Sequence, residues 1–298
     1  MQIPIESKIQ YSSVFPGASH PPTSMKKKNW PTLAEKADIH ELYELSVQCS
    51  EAEVDFVADT YRELRGKQAI LLREDFCGTA NVCCEWVKRH KHNRAIGVDL
   101  DKSVLQWGKT HNLSLLKDAE RKRIELINAD VLRVETESPD IVSAMNFSYW
   151  LFKDRNILKT YFESVHHSLK KDGIFFLDFY GGYDSFHEVE EDREIETDQG
   201  SFTYIWEQAE FNPISHDLTC YIHFAFEDGS RLDQAFAYHW RLWTLPEIQD
   251  LLRETGFEVT VYWQGWDEDG EPDGEFYPAT EADADAGWIA YITAEKTA

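Results

Sequence analysis

The stretch LLREDFCGTANV, residues 71–82, decides how this chain is read. Two apolar residues lead into a charged triplet, then a single glycine, then a segment that reads as the start of a helix. Such a passage marks a strand ending in a tight turn against a helix N-terminus. In α/β folds that is where a ligand is held, because unpaired backbone N–H groups and the helix dipole converge there. Dinucleotide folds place three glycines in this turn so that the backbone can approach a pyrophosphate. Here Phe76 and Ala80 stand at two of those places and only Gly78 remains. A pyrophosphate would be crowded, whereas a cofactor without phosphates is tolerated better.

Working outward, short apolar runs alternate with helical ones. QAILLR, RAIGVDL, IELINA, IVSAMNF and GIFFLDF read as strands, and helical patterns separate most of them. Continuous apolar strands signal coverage on both faces, and the alternation implies a parallel, doubly wound sheet with right-handed crossovers. From about 186 to 243 the rhythm changes. Aromatic and polar residues alternate, with turn signals at NPISHD and EDGS, which reads as an antiparallel meander. TLPEIQDLLRETGF (244–257) then reads as a helix capped by Thr244, with EVTVYW and GWIAYITAEK as closing strands and the acidic segment between them as a loop. Upstream, residues 33–48 and 51–64 show helical spacing, the second with Ser50 as N-cap. Residues 1–32 read as a loosely docked arm.

Two further acids complete the pattern. Asp99 ends the second strand, 21 residues after Gly78, where a carboxylate can accept hydrogen bonds from both ribose hydroxyls. Asp130 ends the third strand and can accept from an adenine amino group. Three acids at the carboxyl ends of successive strands describe an adenosine pocket whose other end is not a phosphate.

The pattern resembles the class I S-adenosylmethionine-dependent methyltransferases. In that family the first strand ends in an acid followed by a glycine turn; Glu74 takes the acid's place and Gly78 the central glycine, with Phe76 and Ala80 as departures. The resemblance covers about residues 65–182 and 244–298. It implies an α/β Rossmann-like, doubly wound fold with a seven-stranded, mostly parallel sheet, an antiparallel β insert and an N-terminal helical lid. The division expected is residues 1–64 for arm and lid, 65–185 for the cofactor-binding core, 186–243 for the insert as substrate cover, and 244–298 for the rest of the core. The cofactor implied is S-adenosyl-L-methionine, with Glu74, Phe76, Gly78, Asp99, Leu100, Asp130, Val131 and Asn146 around it and Ala129 beside the adenine.

The acceptor end is expected beyond the fourth and fifth strands. Asn146, Phe147, Ser148 and Tyr149 have the spacing of the Asn-Pro-Pro-Tyr motif of amino-group methyltransferases, without its prolines. Asn146 and Tyr149 are therefore read as lining the active-site mouth, with Tyr180 and Gly181-Gly182 opposite. In the insert, Arg241 is read as a partner for a substrate carboxylate and His223 or His239 as an acceptor of an amine proton. Tyr43 and Gln48 belong to the helix read as a lid. The alternatives for Arg241 and the aromatics are a surface ion pair and core packing.

Composition narrows the function. A net charge of −24 disfavours nucleic acid, whose affinity is carried by Lys and Arg. No apolar run is long enough for a membrane helix. Five cysteines without a CxxC pair speak against a disulfide framework or a structural zinc site. The N-terminus lacks the charge and apolar pattern of a secretory signal, so a cytoplasmic protein is expected. The sequence thus predicts methyl transfer to a small molecule, nitrogen ahead of oxygen. The competing readings are a protein or RNA methyltransferase, an NAD-type protein, and a non-catalytic nucleoside-binding regulator of the same fold.

Overall fold

The computed structural model describes residues 30–198, 200–266 and 272–296. Most of the arm, the basic run at 25–29 and part of the acidic loop lie outside them.

Three helices precede the sheet: α1 (Leu33–Lys36), α2 (Ile39–Ser46) and α3 (Ser50–Arg65). Ser50 is the first residue of α3 rather than its cap; Cys49 holds that place without a side-chain bond. The core follows as β1 (Leu71–Asp75), α4 (Asn81–Arg89), β2 (Arg94–Asp99), α5 (Lys102–His111), α6 (Asp118–Arg121), β3 (Ile124–Asn128), β4 (Ile141–Ala144), α7 (Arg155–Ser168) and β5 (Ile174–Gly181). The insert comprises β6 (Val189–Thr197), β7 (Gly200–Phe211), β8 (Asp217–Phe226) and β9 (Arg231–Arg241). The chain closes with α8 (Leu245–Glu254), β10 (Phe257–Trp266), β11 (Pro272–Ala279) and β12 (Trp288–Lys296). Thr244 caps α8 in a reciprocal capping box with Glu247.

The main sheet runs β3-β2-β1-β4-β5-β12-β10-β11. Its first five strands are parallel, and β12, β10 and β11 add antiparallel. Every residue of β1 and nearly all of β5 are buried, as strands covered on both faces require. One difference from the expected seven strands is β11. Its Pro, Asp and Gly read as turn chemistry, yet Phe276 and Tyr277 pair with Gln264 and Trp263 on β10 and extend the sheet by an edge strand.

The insert forms a separate four-stranded antiparallel sheet, β6-β7-β8-β9. Its register sets one face against the rest of the protein: Phe202, Tyr204, Trp206, Ile222, Phe224, Phe236, Tyr238 and Trp240. Leu42 and Tyr43 of α2 pack on this face. The N-terminal helices also reach the core, since Trp107 of α5 donates to Asp38 at 2.7 Å. Among the described residues no helix is long and apolar enough to cross a membrane.

Candidate active site at the carboxyl ends of β1, β2 and β4

The β1–α4 turn adopts a left-handed backbone at three residues: Phe76 (φ 59°), Gly78 (φ 52°) and Ala80 (φ 60°). With Glu74 before them, these are the glycine places of the D-x-G-x-G-x-G turn that the methyltransferase resemblance implies. The backbone path is kept although two of the glycines are absent, at roughly 1–2 kcal/mol for each side chain forced into this region. Packing offsets that cost. The Phe76 ring lies 5.7 Å from Tyr161 and 6.0 Å from Phe152, and Ala80 is fully buried. Beneath the turn, Arg73 and Asp75 form a fully buried bidentate pair at 2.9 Å, and the Tyr161 hydroxyl donates to Asp75. From the other side α5 presses in at Gly108, where a Cβ would lie 2.3 Å from the Thr79 carbonyl oxygen.

A Cβ placed on Gly78 would meet no atom within 4 Å. The turn therefore faces open space at its central residue, which is the cradle an adenosyl cofactor requires. Asp99 stands beside it, accepting from the Gly78 N–H and the Asp101 N–H, both at 2.8 Å. Burial raises the Asp99 carboxyl above its ordinary value, against these bonds. Leu100 is 74% exposed and free to cover a ligand. The Asn128 amide donates to the carbonyls of Asp99 and Leu100, fixing the end of β2. Asp130 accepts from the Leu132 N–H at 3.0 Å, with Val131 buried beside it. Gly78, Asp99, Leu100, Asp130 and Val131 thus follow one another across the strand ends, and these residues fit an adenosyl cofactor.

Glu74 is placed differently. Its side chain is buried and accepts from the Cys83 N–H at 3.1 Å, in the first turn of α4, where a carboxylate suits the helix dipole. Burial pushes it up to about 7.

At the end of β4, Asn146 and Phe147 are both left-handed (φ 57° and 54°). Their N–H groups donate to the two oxygens of Asp178, at 2.7 and 2.9 Å. Burial pushes Asp178 up to about 7 in spite of these bonds. The sequence reading did not single out Asp178, although an acid inside the apolar run GIFFLDF was the available signal. Nor did it give Glu53 a part in the site or single out the Arg73–Asp75 pair.

Several acceptor-site expectations need correction. Tyr149 does not line a mouth: it is fully buried, and its hydroxyl donates to the Asp178 carbonyl at 2.8 Å. Asn146 and Tyr149 are brought together by Asp178, yet only Asn146 is left partly exposed. Arg241 alternates with Trp240, so it stands on the outer face of the insert. There it pairs with Glu247 at 3.1 Å, donates to the Lys153 carbonyl and covers Trp243 with its guanidinium 3.7 Å from the ring centre. His239 shares that face, and His223 is held by Glu207 and the Gln234 N–H. Gly181 and Gly182 are fixed by close packing, because a Cβ on either would fall 2.2–2.3 Å from Trp288 or the Ala286 carbonyl oxygen.

What does gather beyond β4 and β5 is a wall of rings. Phe147 lies 6.0 Å from Tyr180 and 6.2 Å from Trp240; Trp206, Tyr238 and Trp240 continue it at 4.4–6.2 Å. Tyr43 closes it from α2, 4.9 Å from Phe236. The same helix grips the β1–α4 turn: Glu44 accepts from the Thr79 hydroxyl and the Asn112 amide, and Gln48, just past the helix, accepts from Asn81.

Residues 75–177 match the methyltransferase domain family. No curated protein matches the chain by sequence. Among solved structures, an S-adenosylmethionine-dependent methyltransferase from Clostridium acetobutylicum is similar over 87% of this chain and 98% of its own, with a TM-score of 0.66 and 17% identity. An amino pentose methyltransferase from Micromonospora echinaspora, solved with S-adenosylmethionine, is similar over 88% and 98%, with a TM-score of 0.64 and 14% identity. A sugar N-methyltransferase from Streptoalloteichus is similar over 94% and 100%, with a TM-score of 0.61 and 15% identity. Residues 75–177 thus carry a methyltransferase domain, within a fold shared with S-adenosylmethionine-dependent methyltransferases.

Proposed function

We propose that the protein transfers a methyl group from S-adenosylmethionine to a small-molecule acceptor, nitrogen ahead of oxygen, in the cytoplasm. The observation that carries the cofactor part is the turn at Phe76, Gly78 and Ala80 with Asp99 beside its open centre. Asp99 would hold the ribose hydroxyls, Asp130 the adenine amino group, and Leu100 and Val131 the faces of the base. Bound there, S-adenosylmethionine supplies a methyl group already activated on a sulfonium.

The chain's own task is then to position an acceptor and exclude water. The insert sheet and α2 act as the cover, and the wall of Phe147, Tyr180, Trp206, Tyr238 and Trp240 faces the carboxyl ends of β4 and β5. An enclosed aromatic wall suits a small molecule better than a folded protein or an RNA, and the charge of −24 opposes RNA. These rings touch one another, so an acceptor enters by parting them, and Tyr43 on the N-terminal lid and Phe147 after β4 are the members outside both sheets. Preference for nitrogen draws on the amino pentose and sugar N-methyltransferases among the similar structures. Four of the five cysteines are buried and all five are free, in keeping with a reducing compartment.

Calorimetric titration with S-adenosylmethionine, S-adenosylhomocysteine and NAD tests the cofactor, on the wild type and Asp99→Ala. Two charge-assisted bonds at about 1.5–3 kcal/mol each predict a loss of at least ~100-fold in the variant for both sulfur nucleosides. Binding of NAD alone, or affinity within fivefold in Asp99→Ala, refutes the assignment. Transfer of labelled methyl from S-adenosylmethionine to panels of amines, hydroxyl compounds, proteins and RNA then tests the acceptor. Label on protein or RNA alone overturns the small-molecule reading.

A further inference from the structure

Asp130 and Val131 stand at β3, Asp99 at β2 and Gly78 after β1. A cofactor laid adenine-first along this row therefore directs its amino-acid end across β1 toward β4 and β5. On that side of the sheet Glu74, Ser143 and Asp178 face α3, and from α3 comes Glu53. Glu53 is only 8% exposed. Its Oε2 is buried without a hydrogen-bond partner among the described residues, and the side chain lines a mostly apolar crevice, too narrow for a water molecule, with Leu72, Val82, Trp86 and Ser143. A buried carboxylate oxygen left unsatisfied is costly and calls for a partner that the described residues do not supply.

We propose that Glu53, carried by the N-terminal lid rather than by the sheet, is the counter-charge for the α-ammonium group of S-adenosylmethionine. The inference rests on the cofactor reading above and adds to it a residue outside the matched domain. The chemistry of the surroundings supports it. Among the described residues Glu53 is faced by Asp178 from β5, Glu74 from β1, Tyr43 from α2 and Tyr291 from β12. Behind Glu74 stand Asp75, Asp99 and the Cys77, Cys83 and Cys84 thiols, with Lys88 beside Cys84. Burial first, then the charges of Asp178 and Glu74, push Glu53 up to about 8. A cluster of acids that shares protons at neutral pH gives them up when a cation arrives, so ligand binding and proton release are coupled.

The test is calorimetry of S-adenosylhomocysteine, which carries the same ammonium, in phosphate and in Tris at pH 7, on the wild type and Glu53→Gln. 5′-Methylthioadenosine, which lacks the amino-acid end, is run beside it. The wild type is expected to release protons on binding S-adenosylhomocysteine. The variant should bind it at least tenfold more weakly, release fewer protons and bind 5′-methylthioadenosine within twofold of the wild type. The free variant should melt no lower than the wild type at pH 8, because the substitution removes a buried charge. Unchanged affinity, equal losses for both nucleosides, or a variant that melts lower overturns the proposal and leaves Glu53 a packing residue. A wild type that binds neither nucleoside removes the cofactor reading itself, and the proposal with it.

Discussion

Asp178→Asn isolates the electrostatic part of the acceptor-side architecture. In the wild type both carboxylate oxygens accept from consecutive backbone N–H groups, those of Asn146 and Phe147. An amide oxygen can keep one of these bonds, and its NH₂ group then faces the second N–H. That loss costs about 1–3 kcal/mol at every pH. Charge works the other way and depends on pH. Burial raises the Asp178 carboxyl from 3.8 to about 7, so its contribution to stability is complete below pH 3.8 and is lost as pH rises to about 7. From pH 5.5 to 7 lie about 1.5 units, and at about 1.4 kcal/mol per unit this is ~2 kcal/mol of wild-type stability that the neutral amide does not lose. The penalty of Asp178→Asn should therefore shrink by ~2 kcal/mol between pH 5.5 and pH 8 and can change sign. Urea unfolding of both proteins at the two pH values, followed by tryptophan fluorescence, measures it. A penalty equal at both pH values within ~0.5 kcal/mol would show that Asp178 does not titrate in this range and would refute the reasoning.

Two further outcomes follow from the same geometry. Glu44→Ala removes the group that joins α2 to Thr79 and Asn112; it should weaken S-adenosylhomocysteine about tenfold and speed proteolysis within residues 37–49, and unchanged cleavage would mean that the lid is held by its packing on the insert alone. Gly78→Ala adds a Cβ at φ 52° that meets no protein atom but points into the space assigned to the cofactor. A strain of about 1 kcal/mol should lower the melting temperature by ~2–4 °C for a chain of this size, with a loss of affinity above tenfold, and intact affinity would move the cofactor away from this turn.

What the sequence determined by itself is what depends on local pattern. The doubly wound sheet follows from apolar runs of strand length alternating with helical periodicity, the insert from a change of period, and the row of Gly78, Asp99 and Asp130 from a topology that brings every parallel strand end to one edge. The β11 strand escaped because its proline, aspartate and glycine carry turn chemistry, and only the long β10 edge made pairing favourable. The strand ends also could not say which way a side chain is spent. Tyr149 and Arg241 sit at sequence positions next to the site, yet one is used to tie down the Asp178 carbonyl and the other faces outward with Glu247. The docked face of the insert decided that, through contacts between residues far apart in the chain. The turn at Phe76 and Ala80 shows the same division: local propensity argues against a left-handed backbone there, and the packing of Phe76 on Phe152 and Tyr161 and the burial of Ala80 impose it. The cluster of Glu53, Glu74 and Asp178 was likewise decided only by the tertiary fold, because burial of each acid beside the others exists only once α3 lies across β1, β4 and β5.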